Sequence, residues 1–101
     1  MSFFIYILYS SISDIYYVGY TENVERRLSQ HNNPVKTTFT AKHKPWELKC
    51  FFEISSSRSE AMRAEKYIKK QKSKLFIKKI IVSPEEQNKI AQSRRDAFGI
   101  S

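Results

Sequence analysis

A glutamate stands on the face of a predicted helix that its apolar neighbours mark as buried. Ala61, Ala64, Glu65 and Ile68 lie at offsets of zero, three, four and seven, the spacing of a core-facing helix side. Burying an unpaired carboxylate costs several kcal/mol. A metal ion, an arginine or partial contact with solvent would therefore have to compensate it. The alternative is an exposed Glu65 in an ordinary ion pair with Lys69, four residues further on.

Two tyrosines, an arginine and a histidine form a second set of candidate functional side chains. Tyr6 and Tyr17 lie in two predicted strands of a hairpin, which places them side by side if both point to the same face. Arg27 and His31 are four residues apart and so share one face of a predicted helix. Arg27 follows Val24 by three residues, so it borders the apolar stripe of that helix and leans toward the sheet.

The charge balance favours an anionic partner. The chain has 101 residues, with 18 Lys and Arg against 10 Asp and Glu, and a formal net charge of +8. DNA, RNA or an anionic membrane surface would suit this charge, while a basic protein with no such partner is the alternative. Charge alone favours nucleic acid.

Cysteine content and the N-terminal apolar run indicate a cytoplasmic protein. Cys50 is the single cysteine, so no internal disulfide can form. Its place in the apolar run Leu48–Ile54 favours a core residue over a nucleophile. The run Phe3–Tyr9 is too short to span a membrane and lacks the basic leader and cleavage site of a signal peptide. We expect no membrane partner.

The elements that must position these side chains begin with a β-hairpin. Phe3–Tyr9 and Ile15–Tyr20 are rich in aromatic and β-branched residues and predict two strands. The turn-like segment Ser10–Asp14 joins them. Gly19, inside the second strand, indicates a bulge or a close approach by another group.

A helix, a loop and a third strand are predicted next. Thr21 is placed to cap a helix over Glu22–His31, which Asn32–Pro34 ends. Residues 35–45 are polar and basic and predict a loop. Trp46–Ile54 predicts the third strand.

Helices are predicted for the rest of the chain. Ser57 and Glu60 match the Ser-x-x-Glu capping box of a helix that runs to about Lys72. A further amphipathic stretch includes Leu75–Ile81, and Pro84–Ala97 predicts a C-terminal helix. The order β-β-α-β-α-α predicts an α+β fold, a small three-stranded, at least partly antiparallel sheet flanked by helices. The length fits one domain over residues 1–101.

Several of these positions together resemble a known family. The strings FIY at Phe4–Tyr6 and YVG at Tyr17–Gly19, followed by Arg27 and His31, resemble the GIY-YIG nuclease superfamily. More narrowly, the chain is similar to short stand-alone bacterial members related to the nuclease domain of the excinuclease of nucleotide-excision repair. The resemblance covers about residues 3–72, which leaves 73–97 as a C-terminal helical extension. Tyr20 stands where many relatives carry Lys.

The resemblance implies a three-stranded antiparallel sheet flanked by helices, and an endonuclease that hydrolyses phosphodiester bonds in DNA. It makes Tyr6, Tyr17, Arg27 and His31 catalytic positions and Glu65 the metal-binding glutamate. One Mg²⁺ or Mn²⁺ on Glu65 would act as Lewis acid and template, and such an ion keeps most of its waters. The planar fork of Arg27 suits phosphate oxygens.

A tyrosine base is the demanding part of that chemistry. A free phenol has a pKa of about 10, and lowering it to about 7 takes roughly 4 kcal/mol. The hypothesis is that Tyr6 deprotonates the attacking water and Tyr17 orients water or phosphate; the reverse assignment stays open. His31 would hold a phosphate or share the proton transfer, and a capping or surface histidine at a helix end is the alternative.

Basic side chains supply candidate contacts to the DNA backbone. Residues 66–79 contain seven lysines and no acid, and lysines bind phosphate without reading sequence. A solvated helix face is the alternative. The candidate nucleic-acid contacts are Arg26, Lys42, Arg63, Lys66, Lys69, Lys70 and Lys72.

Three functions are compatible with these features. The intact set of Tyr6, Tyr17, Arg27 and Glu65 favours a metal-dependent endonuclease, structure-directed on branched or damaged DNA in repair or processing. The second is a catalytically weak or inactive DNA-binding module with the same fold. The third is an RNA-directed or assembly role with a protein partner, which the sequence neither supports nor excludes. The oligomeric state stays open, with a monomer expected.

Overall fold

Two of the three strands of the sheet form a hairpin. The computed structural model describes residues 1–34 and 39–97, without the side chains of 93–97. Strands β1 (Phe3–Ser10) and β2 (Ile15–Thr21) pair antiparallel. The connecting turn ends at Asp14, whose φ of 51° lies in the left-handed region, which Asp tolerates better than most residues. Lys74 Nζ donates to the Asp14 carbonyl oxygen at 2.9 Å, which ties the turn to a helix.

Strand β3 (Glu47–Ser55) pairs antiparallel with the other side of β1, so the strand order is β2-β1-β3. The central position of β1 explains its composition. Ile5, Tyr6, Ile7 and Leu8 are all buried, because helices cover both faces of the sheet. A strand buried on both faces reads as a continuous apolar run instead of an alternating one.

Helices α1 (Val24–Asn32) and α2 (Phe39–Lys42) lie on one face. They cover a small cluster that we call the aromatic core, made of Tyr6, Leu8 and Trp46. Trp46 Nε1 donates to the Thr40 carbonyl oxygen at 2.7 Å, and the Asn32 side chain bonds the backbone of Trp46 in both directions. These bonds join both helices to the start of β3.

Helices α3 (Arg58–Lys70), α4 (Lys74–Val82) and α5 (Pro84–Ala97) cover the opposite face. Cys50 packs against this side, and burial raises the pKa of its thiol to about 11. A thiol of that kind is a core residue and a poor nucleophile, as its apolar surroundings in the sequence predicted. The cluster beneath these helices, which we call the aliphatic core, consists of Ile5, Ile7, Val18, Ile54, Ala64, Ile68, Ile80 and Ile90.

The predicted fold class is confirmed: a three-stranded antiparallel sheet flanked by helices in an α+β arrangement. The predicted strands agree with β1, β2 and β3 to within a residue at each end, and α5 has the predicted bounds. The structure makes the amphipathic stretch a separate helix, α4, and adds α2. A loop over 35–45 is therefore wrong for 39–42, while 35–38 lie outside the described residues.

Two predicted helix ends are corrected. Asn23 caps α1 in place of Thr21: Asn23 Oδ1 accepts from the Arg26 N–H at 3.0 Å, and Thr21 Oγ1 accepts from the Asn23 N–H. Helix α3 ends at Lys70, and Lys72 has a φ of 49°, which no helix residue adopts. At the start of α3 the predicted cap is confirmed, because Ser57 Oγ accepts from the Glu60 N–H. Within the described residues, no helix has the length and apolarity needed to cross a membrane.

Candidate active site

A cleft of about 360 Å³ opens beside β2. Four predicted site residues, Tyr6, Tyr17, Arg27 and Glu65, line it from four different elements. The structure therefore brings together side chains that the sequence places far apart. The other lining residues are Phe3, Gly19, Tyr20, Thr21, Glu22, Arg26 and Arg58.

The absence of a side chain at Gly19 lets the Tyr6 ring reach this cleft. Gly19 lies directly opposite Tyr6 in the β1–β2 ladder. A Cβ atom at position 19 would stand 2.5 Å from Tyr6 Oη and 2.6 Å from Cζ, well inside van der Waals contact. The sequence predicted a close approach here, and the approaching group is the tyrosine that carries the proposed chemistry.

His31 is buried beneath the tyrosines and bonds one of them. It is 5% exposed, and its Nε2 lies 2.9 Å from Tyr6 Oη. The Tyr17 ring stands edge-on to the imidazole, with ring centroids 5.0 Å apart. Burial, and after it the Arg27 guanidinium, lowers the pKa of His31 to about 4. The imidazole is therefore neutral near pH 7, and its Nε2 can accept the Tyr6 hydroxyl proton. A surface histidine, the alternative considered from the sequence, is wrong.

Burial makes Tyr6 a weak acid in the protein alone. It is 1% exposed, and this burial raises the pKa of Tyr6 to about 12, although the nearby Arg27 guanidinium lowers it. Bringing that pKa to about 7 would take roughly 7 kcal/mol instead of the roughly 4 kcal/mol of a free phenol. A catalytic role as base therefore requires a proton acceptor or a cation at Tyr6 Oη.

Three arginines line the cleft. Arg27 is half-buried, and its Nη1 donates to Gln30 Oε1 at 3.0 Å. Arg26 comes from the same helix. Arg58, the first residue of α3, was missed by the sequence reasoning; its Cζ lies 5.4 Å from the centre of the Phe3 ring. The spacing held the signal, since Arg58 precedes Glu65 by seven residues and so shares its helix face.

Glu65 combines both alternatives that its sequence position allowed. It lines the cleft with its side chain 18% exposed, and its Oε2 pairs with Lys69 Nζ at 3.4 Å. The Lys69 ammonium also lies 5.2 Å from the centre of the Tyr17 ring. A second carboxylate, Glu22, lines the cleft as well and was missed because its position in the sequence indicated only the start of a helix.

The donor set fits a hydrated hard cation and does not fit a fully protein-ligated metal. Among the side chains of residues 1–34 and 39–92, no three of His, Cys, Asp or Glu come together as a metal-binding group. Mg²⁺ retains several waters and binds through one or two carboxylates. Glu65, which lines the cleft together with Tyr6 and Tyr17, is the residue that would hold such an ion.

The family assignment rests on a match over most of the chain. The family model described as the GIY-YIG catalytic domain matches residues 2–80. The chain belongs to the GIY-YIG family. The five positions that the resemblance predicted as catalytic, Tyr6, Tyr17, Arg27, His31 and Glu65, all lie within the matched residues.

Several bacterial UPF0213 proteins are similar to this GIY-YIG chain. One from Bacillus licheniformis is 43% identical over 54 residues, which cover 54% of this chain and 55% of that protein. UPF0213 protein YazA of Bacillus subtilis is 38% identical, with 61% and 65% covered. The UPF0213 protein in the ldhD 5' region of Pediococcus acidilactici is 33% identical, with 75% and 78% covered. The solution NMR structure of a UPF0213 protein from Bacillus halodurans aligns with 88% of this chain and 96% of its own, at 27% identity and a TM-score of 0.48.

The predicted nucleic-acid contacts of this GIY-YIG chain separate into two groups. Arg26 lines the cleft, and Lys69 and Lys72 line a second cavity beside it. The others are exposed and lie outside both cavities: Lys42, Arg63, Lys66 and Lys70. Three of the seven predicted contacts therefore line the two cavities beside β2, and four do not.

Proposed function

We propose that this chain is a metal-dependent endonuclease that hydrolyses phosphodiester bonds in DNA. One observation carries the proposal: Tyr6, Tyr17, Arg27 and Glu65 line a single cleft in a member of the GIY-YIG family. Each supplies a group that the reaction needs. The phenols position and deprotonate a water, the guanidinium binds phosphate oxygens, and the carboxylate holds a cation.

Arg27 is the residue proposed to grip the phosphate at the cut bond. Its guanidinium lies close enough to the Tyr6 hydroxyl to lower the pKa of that group, so a phosphate bound to it would lie beside the proposed base. A planar guanidinium can bind two phosphate oxygens at once. Arg26 and Arg58 line the same cleft and are proposed to bind neighbouring phosphates.

Glu65 would hold one Mg²⁺ or Mn²⁺. Such an ion, when bound, supplies Lewis acidity toward the phosphoryl group and the leaving oxygen. Lys69, which pairs with Glu65 across 3.4 Å, is half-exposed and can turn toward a phosphate when the carboxylate binds a cation.

Tyr6 is proposed as the base, with His31 as its proton acceptor. As Tyr6 Oη takes a proton from the attacking water, its own proton passes to His31 Nε2, 2.9 Å away. One proton enters the phenol oxygen and one leaves, so no free phenolate has to form. This relay avoids the free phenolate that the pKa of about 12 describes, and the negative phosphate held by Arg27 would offset the low pKa of His31. Tyr17 would orient the water or the phosphate.

The second candidate function is a DNA-binding module with weak or no cleavage. Two observations favour it: the Glu65 carboxylate is paired with Lys69, and the pKa of Tyr6 is raised. Before catalysis the Glu65–Lys69 ion pair would have to open, and the proton of Tyr6 would have to find an acceptor.

We extend the first proposal to structure-directed cutting of branched or damaged DNA in repair or processing. The cations of the cleft are arginines suited to phosphates, and backbone contacts carry no direct sequence information. RNA is the alternative substrate. The cytoplasmic location and the monomer expected from the sequence stay predictions.

The test is incubation of the purified protein with nicked, flapped, branched and single-stranded DNA, and with RNA, in Mg²⁺, Mn²⁺ or EDTA. We expect at least one DNA to be cut with a metal ion and none in EDTA. Glu65→Gln should lower the rate at least ~100-fold. The matched control Glu85→Gln, on an exposed position of α5, should cut like the wild type.

Two outcomes would contradict this assignment. Cleavage that survives EDTA or Glu65→Gln removes the metal from the reaction. Salt-sensitive binding without cleavage of any substrate favours the binding module.

A further inference from the structure

A second cavity, of about 350 Å³, lies on the other side of Tyr17 from the cleft. Its inner surface is apolar and includes Ile68 and Ile77, with Tyr16 and Tyr17 as an aromatic wall. Lysines 69, 72 and 74 stand at its border, so we call it the lysine-rimmed cavity. Its volume falls at the lower end of the ~300–1,000 Å³ typical of small-ligand sites.

The lysine-rimmed cavity is continuous with the proposed active site through two side chains. Tyr17 lines both cavities. Lys69 lies 5.2 Å from the Tyr17 ring centre and 3.4 Å from Glu65 Oε2. A molecule whose phosphate lies in the cleft therefore has the lysine-rimmed cavity as its neighbour across Tyr17.

The charge around the lysine-rimmed cavity matches an anionic backbone. Its acidic lining residue, Asp14, is paired with Lys74 at 2.9 Å. Lys69 and Lys72 add two more positive charges at the rim. An apolar interior within a cationic border is complementary to a nucleotide, which has an apolar, stackable base on a charged phosphate backbone.

We propose that the lysine-rimmed cavity binds an unstacked nucleobase of the nucleotide next to the bond that is cut, while the rim lysines contact its phosphate. The proposal rests on the proposed function and adds a substrate class: nucleic acid that is single-stranded or locally unpaired at the site. Bases in an intact duplex are stacked and paired, and extruding one costs a few kcal/mol. A base that is already unpaired enters without that cost.

The proposal is tested first by binding, in EDTA, to single-stranded DNA that carries the fluorescent base 2-aminopurine at successive positions. Stacking on neighbouring bases quenches this fluorophore. Binding should therefore change the emission when 2-aminopurine occupies the position whose base enters the cavity, and at no other position. An abasic residue at that position should weaken binding roughly five- to tenfold, and abasic residues elsewhere should change it less than twofold.

Variants distinguish a base site from a simple phosphate groove. Ile77→Phe narrows the cavity and should weaken binding of the intact strand, with no further effect on the strand that is abasic at the responsive position. Ile81→Phe is the control, since Ile81 is half-buried on the same helix and packs against the same aliphatic core, outside the cavity. Lys72→Asn removes a rim charge and suits the left-handed backbone at φ 49°. This variant should bind the intact and the abasic single-stranded DNA more weakly by the same factor.

The outcomes separate this inference from the proposed nuclease activity. Emission changes spread evenly over all positions, or equal affinity for single-stranded and fully paired DNA, overturn the base site, and the abasic scan decides this even if Ile77→Phe does not fold. A protein that singles out one base in EDTA but cuts nothing in Mg²⁺ or Mn²⁺ retains the base site and overturns the nuclease. In an active protein, the responsive position must adjoin the cut bond.

Discussion

The two faces of the sheet bury different chemistry. The aliphatic core beneath α3, α4 and α5 contains only Ile, Val and Ala among its buried members, so it stabilises the fold by burial that has no direction. The aromatic core beneath α1 and α2 contains Tyr6 and Trp46, whose polar atoms bond His31 and the Thr40 carbonyl. Hydrogen bonds depend on angle as well as distance. Tyr6 and His31 belong to the face whose core contains such directional contacts, while Glu65 lines the cleft from α3 on the other face.

Strand β1 contributes to both cores by alternation. Ile5 and Ile7 belong to the aliphatic core, while Tyr6 and Leu8 belong to the aromatic core. A slip of one residue would exchange the two faces. Stability and chemistry are therefore assigned to alternate residues of one strand, and single substitutions should separate them.

The largest expected effect is the loss of activity in Tyr6→Phe. This change keeps the buried ring and removes the oxygen proposed as base, so we expect the cleavage rate to fall about 10²–10⁴-fold. The unfolding free energy should fall by only about 1–3 kcal/mol, because His31 Nε2 loses its partner. Single-turnover cleavage and urea unfolding measure the two quantities.

Tyr9→Phe is the matched control on the same strand. It removes a hydroxyl that donates to Asp14 at 2.6 Å in a surface position, and its cleavage rate should stay within twofold of the wild type. Equal rates for Tyr6→Phe and Tyr9→Phe would remove Tyr6 from the chemistry and leave Tyr17 as the candidate base.

Ile80→Ala should show the opposite behaviour. Ile80 is fully buried in the aliphatic core, and truncating such a side chain destabilises by about 2–5 kcal/mol. Cleavage per folded molecule should be unchanged at a temperature where the variant is still native. Leu75→Ala, at a residue 79% exposed on the same helix, should alter stability by less than about 0.5 kcal/mol. A large loss of activity per folded Ile80→Ala molecule would mean that the two cores are coupled.

Features of the fold and of the candidate site that depend on local sequence pattern could be predicted from the sequence. The aromatic and β-branched runs predicted the strands, and Pro84 at a first helical position helped to predict α5. The core-facing helix position of Glu65 predicted a carboxylate that needs compensation, and the structure has it pair with Lys69 while it lines the cleft. Gly19 predicted a close approach, which depends only on the missing Cβ.

The parts that could not be predicted depend on contacts between distant segments. Helix α2 has four residues, too few for a periodic signal, and is held by the bond from Trp46 to Thr40. The burial that raises the pKa of Tyr6 requires β3 and α1 to close over β1. Arg58 joins the cleft only because α3 packs beside β2, and the lysine-rimmed cavity likewise exists only between β2 and the end of α3.

The smallest expected effect is a difference between the two cores in how their contribution to the free energy of unfolding depends on pH. The pKa of His31 falls from the ordinary 6.5 to about 4 in the folded protein, so protonation favours the unfolded chain. The stability contributed by the neutral imidazole is complete above pH 6.5 and is lost as the pH falls toward 4. Between pH 7 and pH 5 the wild type should lose roughly 2 kcal/mol through this group.

Urea unfolding of His31→Gln at both pH values measures that loss, because glutamine cannot titrate. The variant should be less stable at pH 7 but should show a pH dependence smaller by that amount. Ile80→Ala, whose loss of stability lies in the aliphatic core, should keep the wild-type dependence. An unchanged pH dependence in His31→Gln would mean that His31 is solvated in the folded state. The proton transfer proposed from Tyr6 to a neutral imidazole would then lose its physical basis.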